Sequence, residues 1–297
     1  FPQLVLATIE KINEKRARQP LTFRQYLNPV FSADSRWASV IAQYNRVAAD
    51  VVALDSELPV KQRDSISTAT GELPKLGMKF FLSEKQMKDI DAMIATNQPL
   101  TRIMNVIFSD TPRAIDGIYE RIEDMFLSGL STGVALSARN DGTGARVDYG
   151  YLAENQFGVS ALLTDKTAPI MTDLQNKVFD KATEDGNVIT HCFLDDYALK
   201  GLYMNDEVRN QYAFNLNFAG ANTPTLQFDQ LNDVFQRRWG VQLHRIARSI
   251  KTEINGVFKN HKPWQEGMMV FTCNDTLGDP VWTTVAADSR SVPGVLY

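Results

Sequence analysis

The amino-acid sequence predicts an α+β fold, in which an extended segment and a long helical segment precede a block of alternating helices and strands. Short β-prone runs occupy residues 21–82, a helical apolar period runs through residues 83–133, and helices alternate with apolar strands from residue 165 onward. The chain has 297 residues, of which 44% are hydrophobic, so it can bury a substantial core. One large domain or two closely joined ones would fit this length.

Residues 83–133, which we call the spine segment, are predicted to form a long helix that two prolines interrupt. Ser83 and Gln86 form a capping-box pattern, in which each side chain satisfies a backbone donor at the start of a helix. Pro99 and Pro112 break the apolar period, but proline is tolerated in the first turn of a helix, so the helix is predicted to restart at each. After the second proline, one apolar stripe contains Ile115, Ile118, Tyr119, Ile122, Met125 and Phe126.

Glycines mark the end of the spine segment, and acidic residues mark its polar side. Gly129 and Gly133 are both expected to stop the helix, because glycine adopts the left-handed conformation that commonly follows a helix. Four carboxylates are expected to lie largely outside the apolar stripe: Asp116, Glu120, Glu123 and Asp124. The segment therefore reads as an amphipathic helix with a solvated acidic face.

The segment before the spine, residues 21–82, is predicted to be an extended loop or a long hairpin. It includes a polar stretch at residues 65–70, and together with residues 1–20 it carries a charge excess opposite to that of the spine segment. Residues 1–82 carry eleven Lys or Arg against eight Asp or Glu, whereas the spine segment carries five against eight. The two regions are predicted to pair within a subunit or between subunits, although exposed ion pairs contribute only about 0–1 kcal/mol each. Ordinary solvated faces explain any single pair equally well. The predicted intersubunit contact residues are Lys61, Arg63, Lys75, Lys79, Asp116, Glu120, Glu123 and Asp124.

The block from residue 165 has clear boundary signals. Pro169 is predicted to open a helix that Gly186 closes, and Asp195 is predicted to cap the helix that follows the first strand. Asn255 and Gly256 form the strongest hairpin signal, since a type I′ turn needs positive φ at both positions. Further helices are predicted at residues 206–212 and 228–239, and strands at residues 187–194, 241–248, 268–273 and 281–285.

The sequence offers no catalytic, cofactor-binding or metal-binding motif. The three histidines, His191, His244 and His261, are far apart in the sequence, and none belongs to a ligand pair such as HExxH. His191 and Cys192 are neighbours in a predicted strand, so their side chains should point to opposite faces instead of forming a dyad. A structural protein that is not an enzyme and has no cofactor is therefore favoured.

Composition limits the partners. A net charge of -4 and a pI near 5.5 argue against a generic basic nucleic-acid binder. No apolar run approaches the roughly 20 residues that cross a bilayer, so no membrane partner is predicted. Cys192 and Cys273, the only cysteines, are predicted to be buried and reduced. A local basic cluster consists of Arg237, Arg238, Arg245 and Arg248. We favour a solvated or intersubunit surface for this cluster over a phosphate-binding site.

Three stretches of the sequence are typical of one protein family. Residues 127–150, LSGLSTGVALSARNDGTGARVDYG, pass from the spine helix to a strand that ends in a VDYG-type sequence. A helix, a strand and a further helix follow at residues 169–209, and a late hairpin and strand region contains Lys262, Pro263, Trp264, Glu266 and Gly267. These stretches resemble the major capsid proteins of tailed bacteriophages, in particular the lambda-like family called major capsid protein E. The resemblance covers most of residues 21–290.

The resemblance implies a Hong Kong 97-type phage capsid fold. The parts that it implies are an N-terminal arm at residues 1–20, an extended E-loop at 21–82, a peripheral domain with the spine helix at 83–164, an axial domain at 165–286, and an incomplete return toward the peripheral domain at 287–297.

The resemblance also implies a function. The chain is expected to be a major capsid protein that self-assembles, through hexameric and pentameric capsomers, into the icosahedral shell enclosing the double-stranded DNA of a tailed phage. It is expected in the virion, after assembly in the bacterial host cytoplasm. Scaffolding, portal and decoration proteins are expected partners, together with the packaged DNA, which would be contacted non-specifically.

Three other functions stay open on the sequence. An encapsulin-like compartment would enclose a protein cargo instead of a genome. A small-molecule enzyme would need a deep pocket with convergent polar groups, near Asp195 or His191. A generic phage structural or tail protein would form rings or tubes instead of shells.

Overall fold

The computed structural model describes residues 21–33, 36–42, 66–73, 76–78, 82–99, 102–103, 106, 111–138, 144–217, 225–254 and 256–283. The chain divides into two compact units. Unit 1 consists of Phe1–Leu27 and Leu76–Gly278, and unit 2 consists of Asn28–Lys75 and Asp279–Tyr297.

The described residues form both helices and strands, which is compatible with an α+β class. The helices are α1 (Phe23–Tyr26), α2 (Glu84–Ala95), α3 (Thr111–Thr132), α4 (Ile170–Leu174), α5 (Asp180–Glu184), α6 (Asp196–Met204), α7 (Asp206–Asn215) and α8 (Phe228–Trp239), with a π-helical turn at Gln175–Phe179 between α4 and α5. The strands are β1 (Val30–Phe31), β2 (Arg36–Ala42), β3 (Ile66–Glu72), β4 (Val134–Ala138), β5 (Gly144–Asp148), β6 (His191–Asp195), β7 (Gln242–Ile246), β8 (Ile250–Ile254), β9 (Val257–His261), β10 (Met269–Thr272) and β11 (Val281–Trp282).

Unit 1 is built around a three-stranded sheet of order β10-β6-β7, in which β6 is parallel to β7 and antiparallel to β10. Because successive strand residues point to opposite faces, Cys192 and Leu194 belong to one hydrophobic cluster and Phe193 belongs to another. The first cluster includes side chains of α4, α6, α7 and α8, and the second includes Leu127 and Leu130 of α3. Helices on both faces therefore bury the central strand, which explains its apolar sequence.

Unit 2 contains a hairpin and a short parallel pair. β2 pairs antiparallel with β3, from Arg36 opposite Glu72 to Ala42 opposite Ile66, and β1 pairs with β11. The predicted hairpin is thus confirmed within the described residues. The polar stretch at residues 65–70 supplies most of β3 in this hairpin. Backbone pairing with β2 holds these residues in a strand although their side chains lack an apolar pattern.

Local boundary signals are confirmed at several places. The capping box at Ser83 and Gln86 is present at the start of α2. Pro112 lies in the first turn of α3, and Gly133, which directly follows α3, has a φ of 76°. Gly256 has a φ of 79° and lies between the antiparallel strands β8 and β9, so the hairpin predicted there is also confirmed, although Asn255 lies outside the described residues.

Two boundary predictions are wrong. Gly129 does not stop the helix, because α3 continues to Thr132. A Cβ atom at Gly129 would lie 2.5 Å from Cε2 of Tyr149, so glycine at this position permits close packing of an aromatic ring instead of a change in backbone direction. The strand predicted at residues 187–194 starts only at His191, and the apolar Val188 is 74% exposed.

Candidate functional site

The predicted intersubunit residues fall into two groups. Lys61, Arg63, Lys75 and Lys79 lie outside the described residues. The acidic group, Asp116, Glu120, Glu123 and Asp124, lies on α3, and its surroundings within the subunit are clear. Contact of any of these residues with another subunit stays a prediction.

Glu123 is fully buried and binds the start of α1. Its carboxylate oxygens accept hydrogen bonds from the backbone N–H groups of Thr22 and Phe23, with N–O distances of 2.9 and 3.0 Å. These N–H groups belong to the first turn of a helix, where backbone donors lack partners within the helix. Glu123 therefore fastens the segment around α1 to α3 across about a hundred residues of sequence.

Arg248 supplies the positive charge that this buried region needs. Its Nη2 donates a hydrogen bond to a carboxylate oxygen of Glu120, and its Nε lies 3.9 Å from Oε1 of Glu123. The Arg248 side chain is only 15% exposed. A buried carboxylate is costly unless it is paired and hydrogen-bonded, and Arg248 with the α1 backbone meets both conditions for Glu123.

Asp124 binds the β8–β9 hairpin to α3. Its carboxylate accepts hydrogen bonds from Nη1 of Arg121 at 2.8 Å and from Nε2 of His261, at the end of β9, at 2.6 Å. The Asp124 side chain is 8% exposed. Three carboxylates of α3 thus hold three sequence-distant segments of the same chain in place.

The expectation that Glu123 and Asp124 lie on a solvated face is wrong, because both are buried. Their partners come from distant segments, which a helical period in the sequence does not show. One signal was available: Leu127 follows Glu123 and Asp124 by one helical turn and is fully buried, so all three lie on the same face of α3. Asp116, in contrast, is exposed.

A second polar group joins four segments in a chain of hydrogen bonds, which we call the histidine relay. Tyr26 Oη lies 3.0 Å from Nδ1 of His244, Nε2 of His244 lies 2.9 Å from Nδ1 of His191, and Nε2 of His191 lies 2.6 Å from Oδ1 of Asp275. His191 and His244, which are far apart in the sequence, are therefore in direct hydrogen-bond contact. The parallel pairing of β6 with β7 brings them together, and only the tertiary structure shows that pairing.

Burial changes the acid–base properties of the relay. Burial, with a smaller effect of the neighbouring His191, lowers the pKa of His244 below its usual value of 6.5. Burial, with a smaller effect of the Asp275 charge, raises the pKa of the Tyr26 hydroxyl above 10.0, so this hydroxyl keeps its proton at every physiological pH. The aromatic ring of Phe193 stacks on His244 with 4.9 Å between ring centroids, which shields the imidazole from water.

The two cysteines are free thiols with different surroundings. Cys192 is fully buried, whereas Cys273 is exposed, so the prediction of a buried pair is wrong for the second. Burial raises the pKa of the Cys192 thiol, which opposes formation of the reactive thiolate. Cys192 and His191 point to opposite faces of β6, as the sequence predicted.

A groove of about 360 Å³ lies beside α4 and α7 and is lined by Met171, Glu207, Phe214 and Arg238. Its charged groups already have partners. Glu207 accepts hydrogen bonds from the backbone at the start of α4, and Arg238 donates to Oε1 of Gln211 at 3.1 Å. Both charged side chains of the groove are therefore committed to contacts within the subunit.

The basic cluster does not converge on a common point. Arg237 donates to Asp233, Arg245 donates to Asp196, and Arg248 donates to Glu120. Each of these three arginines is thus paired with its own carboxylate, whereas Arg238 binds the neutral amide of Gln211. In the part of the chain that the structure describes, no group of three His, Cys, Asp or Glu side chains is arranged to hold a metal ion.

Comparison with known families decides the identity of the chain. A family model described as phage major capsid protein E matches residues 33–270. The chain belongs to this family. The matched range runs from just before β2 into β10, and so includes α3 and most of the three-stranded sheet. A search of curated proteins finds no match.

Membership in the phage major capsid protein E family confirms the resemblance found in the sequence. It supports a structural role in a bacteriophage capsid, a place in the virion and self-assembly with other copies. It also indicates a structural protein instead of an enzyme. Among the helices of the described residues, none combines the length and apolar character needed to cross a membrane.

Proposed function

We propose that this chain is the major capsid protein that builds the icosahedral shell of a tailed phage around its double-stranded DNA. The match of the capsid family across residues 33–270 is the observation that carries the proposal. The sequence adds a net charge of -4, which suits a wall that encloses DNA without gripping it, since affinity for nucleic acid comes chiefly from neutralised phosphates.

The proposed fold is of the Hong Kong 97 type. The β2–β3 hairpin belongs to the E-loop, α3 is the spine helix of the peripheral domain, and the sheet β10-β6-β7 with its helices forms the axial domain. In a closed shell each copy repeats the same contacts many times, so weak individual contacts suffice for a stable assembly. Scaffolding, portal and decoration proteins are the further partners we propose, with assembly in the bacterial cytoplasm before packaging.

Electron microscopy tests this proposal. The full-length protein is expressed with and without the genes that neighbour its own, and the products are examined by negative staining and light scattering. Closed shells, or hexameric and pentameric rings, are the expected result. A uniform monomer or dimer under both conditions would contradict the proposal and would favour an enzyme.

The contents of the shells distinguish a phage capsid from an encapsulin-like compartment, which would share its architecture. Shells are treated with nuclease, and the protected nucleic acid and any enclosed protein are then measured. Nuclease-protected double-stranded DNA, in shells formed with the packaging genes present, is the expected result. A stoichiometric protein cargo with no DNA would instead establish an encapsulin-like compartment.

A further inference from the structure

The histidine relay lies where two segments of the chain leave unit 1. The first segment ends at Leu27 and the second at Gly278, and these two residues form a parallel β-bridge. The backbone N–H of Leu277 also donates to the carbonyl oxygen of Tyr26 at 2.7 Å. Tyr26 and Asp275, the two ends of the relay, therefore attach both segments to the central sheet through the same pair of histidines.

With both imidazoles neutral, every hydrogen bond of the relay has one donor and one acceptor. The ionised Asp275 carboxylate can only accept, so Nε2 of His191 donates and its Nδ1 is left as an acceptor. Nε2 of His244 then donates to this Nδ1, and Nδ1 of His244 accepts from the Tyr26 hydroxyl. The relay runs in one direction from Tyr26 to Asp275.

One added proton is also accommodated. Nδ1 of His244 then carries a hydrogen and donates to the Tyr26 oxygen, whose hydroxyl hydrogen turns away. A single hydrogen still lies between the two imidazoles, on either ring, and the contact at 2.9 Å is kept. The added positive charge is balanced by the carboxylate of Asp275.

A second proton breaks the relay. Nδ1 of His191 and Nε2 of His244 would both carry a hydrogen, so two donors and two positive charges would face each other at 2.9 Å. We propose that the relay is a two-proton latch, which holds residues 21–27 and 275–278 on the sheet while the histidine pair carries at most one proton and releases them when it carries two. The latch belongs to the single chain and does not depend on the shell.

Other charged groups around the pair are committed elsewhere. Arg24 of α1 lies over the Tyr119 ring, and Asp195 of β6 accepts hydrogen bonds from the backbone N–H groups of Ala198 and Gly267. The α3 carboxylates of Glu123 and Asp124 bind the α1 backbone and His261. The remaining side chains on the same face of the sheet are uncharged: Phe193, Gln242, Ile246, Val270 and Thr272. Asp275 is thus the one carboxylate among the described residues that contacts the pair.

The direction of the pH effect follows from the chemistry. The pKa of His244 is lower in the folded protein than its value of 6.5 in the unfolded chain. Such a histidine stabilises the folded state at pH values above 6.5. That stability is lost as the pH falls below 6.5 and through the folded pKa of His244. The latch is therefore closed at neutral pH and opens in mild acid.

Hydrogen exchange with mass spectrometry tests the latch on the full chain. Exchange is compared between about pH 7.5 and about pH 5, with labelling times scaled for the change in chemical exchange rate. Protection of peptides covering residues 21–27 and 275–278 should fall by about tenfold in acid. The amide of Leu27 donates to Phe23 and that of Leu277 donates to Tyr26, and both bonds become accessible to solvent once the segments leave the sheet. Peptides from α8 should keep their protection.

Variants identify the groups responsible. In the single variants His191→Gln and His244→Gln, the loss of protection in acid should disappear. Each variant keeps only one imidazole of the pair, so the relay cannot take up two protons. In the matched control His261→Gln, which removes a histidine outside the relay, the loss should remain. Equal protection of the wild type at both pH values, or an unchanged loss in both relay variants, would overturn the proposal. If the relay variants do not fold, Tyr26→Phe tests the proposal instead. Because this variant loses only the hydroxyl, the loss of protection in acid should disappear at residues 21–27 and remain at residues 275–278.

Discussion

Glu123 is a charged residue that the fold uses as an internal anchor. Its carboxylate satisfies two backbone donors of the α1 segment and lies beside the guanidinium of Arg248, with no exposure to solvent. Removing one partner from a buried, hydrogen-bonded charge leaves the others unsatisfied, and that desolvation cost is what a substitution measures. Residues of this kind contribute to stability even though their type is usually found on surfaces.

Glu123→Gln tests this role. The amide keeps the shape but offers only one acceptor oxygen, and its NH₂ group would face a backbone N–H donor. We expect the free energy of unfolding, from urea denaturation, to fall by about 1–3 kcal/mol.

Glu84→Gln is the matched control for that substitution. Glu84 is 80% exposed and pairs with Lys88 on the surface of α2, so the same chemical change should cost no more than about 0.5 kcal/mol. Equal effects of the two substitutions would show that Glu123 is not an anchor.

At the scale of elements, glycines set how closely helices approach their neighbours. Gly201 lies in α6, and a Cβ atom there would lie 2.6 Å from the backbone oxygen of Leu163. Gly117 lies in α3, where a Cβ would meet only the flexible end of Met78, which is 48% exposed. Both are helix-interior glycines, but only the first faces an obstacle that cannot move aside without shifting the backbone.

Gly201→Ala and Gly117→Ala should therefore change the free energy of unfolding in opposite directions. Alanine in a helix interior normally gains up to about 1 kcal/mol over glycine, and Gly117→Ala should approach this gain as Met78 swings away. Gly201→Ala should instead lose about 1–3 kcal/mol, because α6 must move from the Leu163 segment. Thermal unfolding of the two variants measures the difference, and a stabilising Gly201→Ala would contradict the packing argument.

At the scale of the whole molecule, residues 1–82 have an excess of positive charge and the spine segment has an excess of negative charge, and we expect this difference to affect assembly. The basic residues of residues 1–82 and the acidic residues of the spine segment are proposed to guide docking between subunits. Glu123 and Asp124 are buried, whereas Asp116 is exposed, so Asp116 is more accessible to such docking than these two carboxylates. Long-range charge complementarity sets register and association rate more than strength.

Reversing two of the basic charges tests this docking. The double variant Arg63→Glu and Lys75→Glu should impair assembly, with shell yield reduced by about tenfold, while the folded subunit keeps its circular dichroism spectrum and thermal midpoint. Yield is measured by light scattering and electron microscopy.

The matched control changes the same number of charges on the acidic side. Lys85→Glu with Lys88→Glu, on α2, should assemble normally, because it increases the existing acidic excess. Normal assembly of the Arg63 and Lys75 variant would show that electrostatic docking is not needed, and equal failure of both variants would assign the defect to net charge alone.

The sequence by itself determined the features that depend on a few neighbouring residues. The capping box at Ser83, the stop at Gly133, the limits of α8 and the turn at Gly256 were all predicted, because each is fixed by local backbone conformation and by hydrogen bonds within one turn. The order of these elements and the VDYG-type passage were also sufficient to indicate the family, which the match over residues 33–270 confirms.

Only the tertiary structure decided which polar groups are buried and what they bind. The bond from Phe23 to Glu123 spans 100 residues, and the bond from Tyr26 to His244 spans 218. The sequence pattern of a helix or strand describes its own faces, but a buried carboxylate or imidazole is stable only beside partners that folding brings to it. For the anchors of α3 the sequence offered only the apolar Leu127, one helical turn after Glu123, and it offered no signal for the histidine relay.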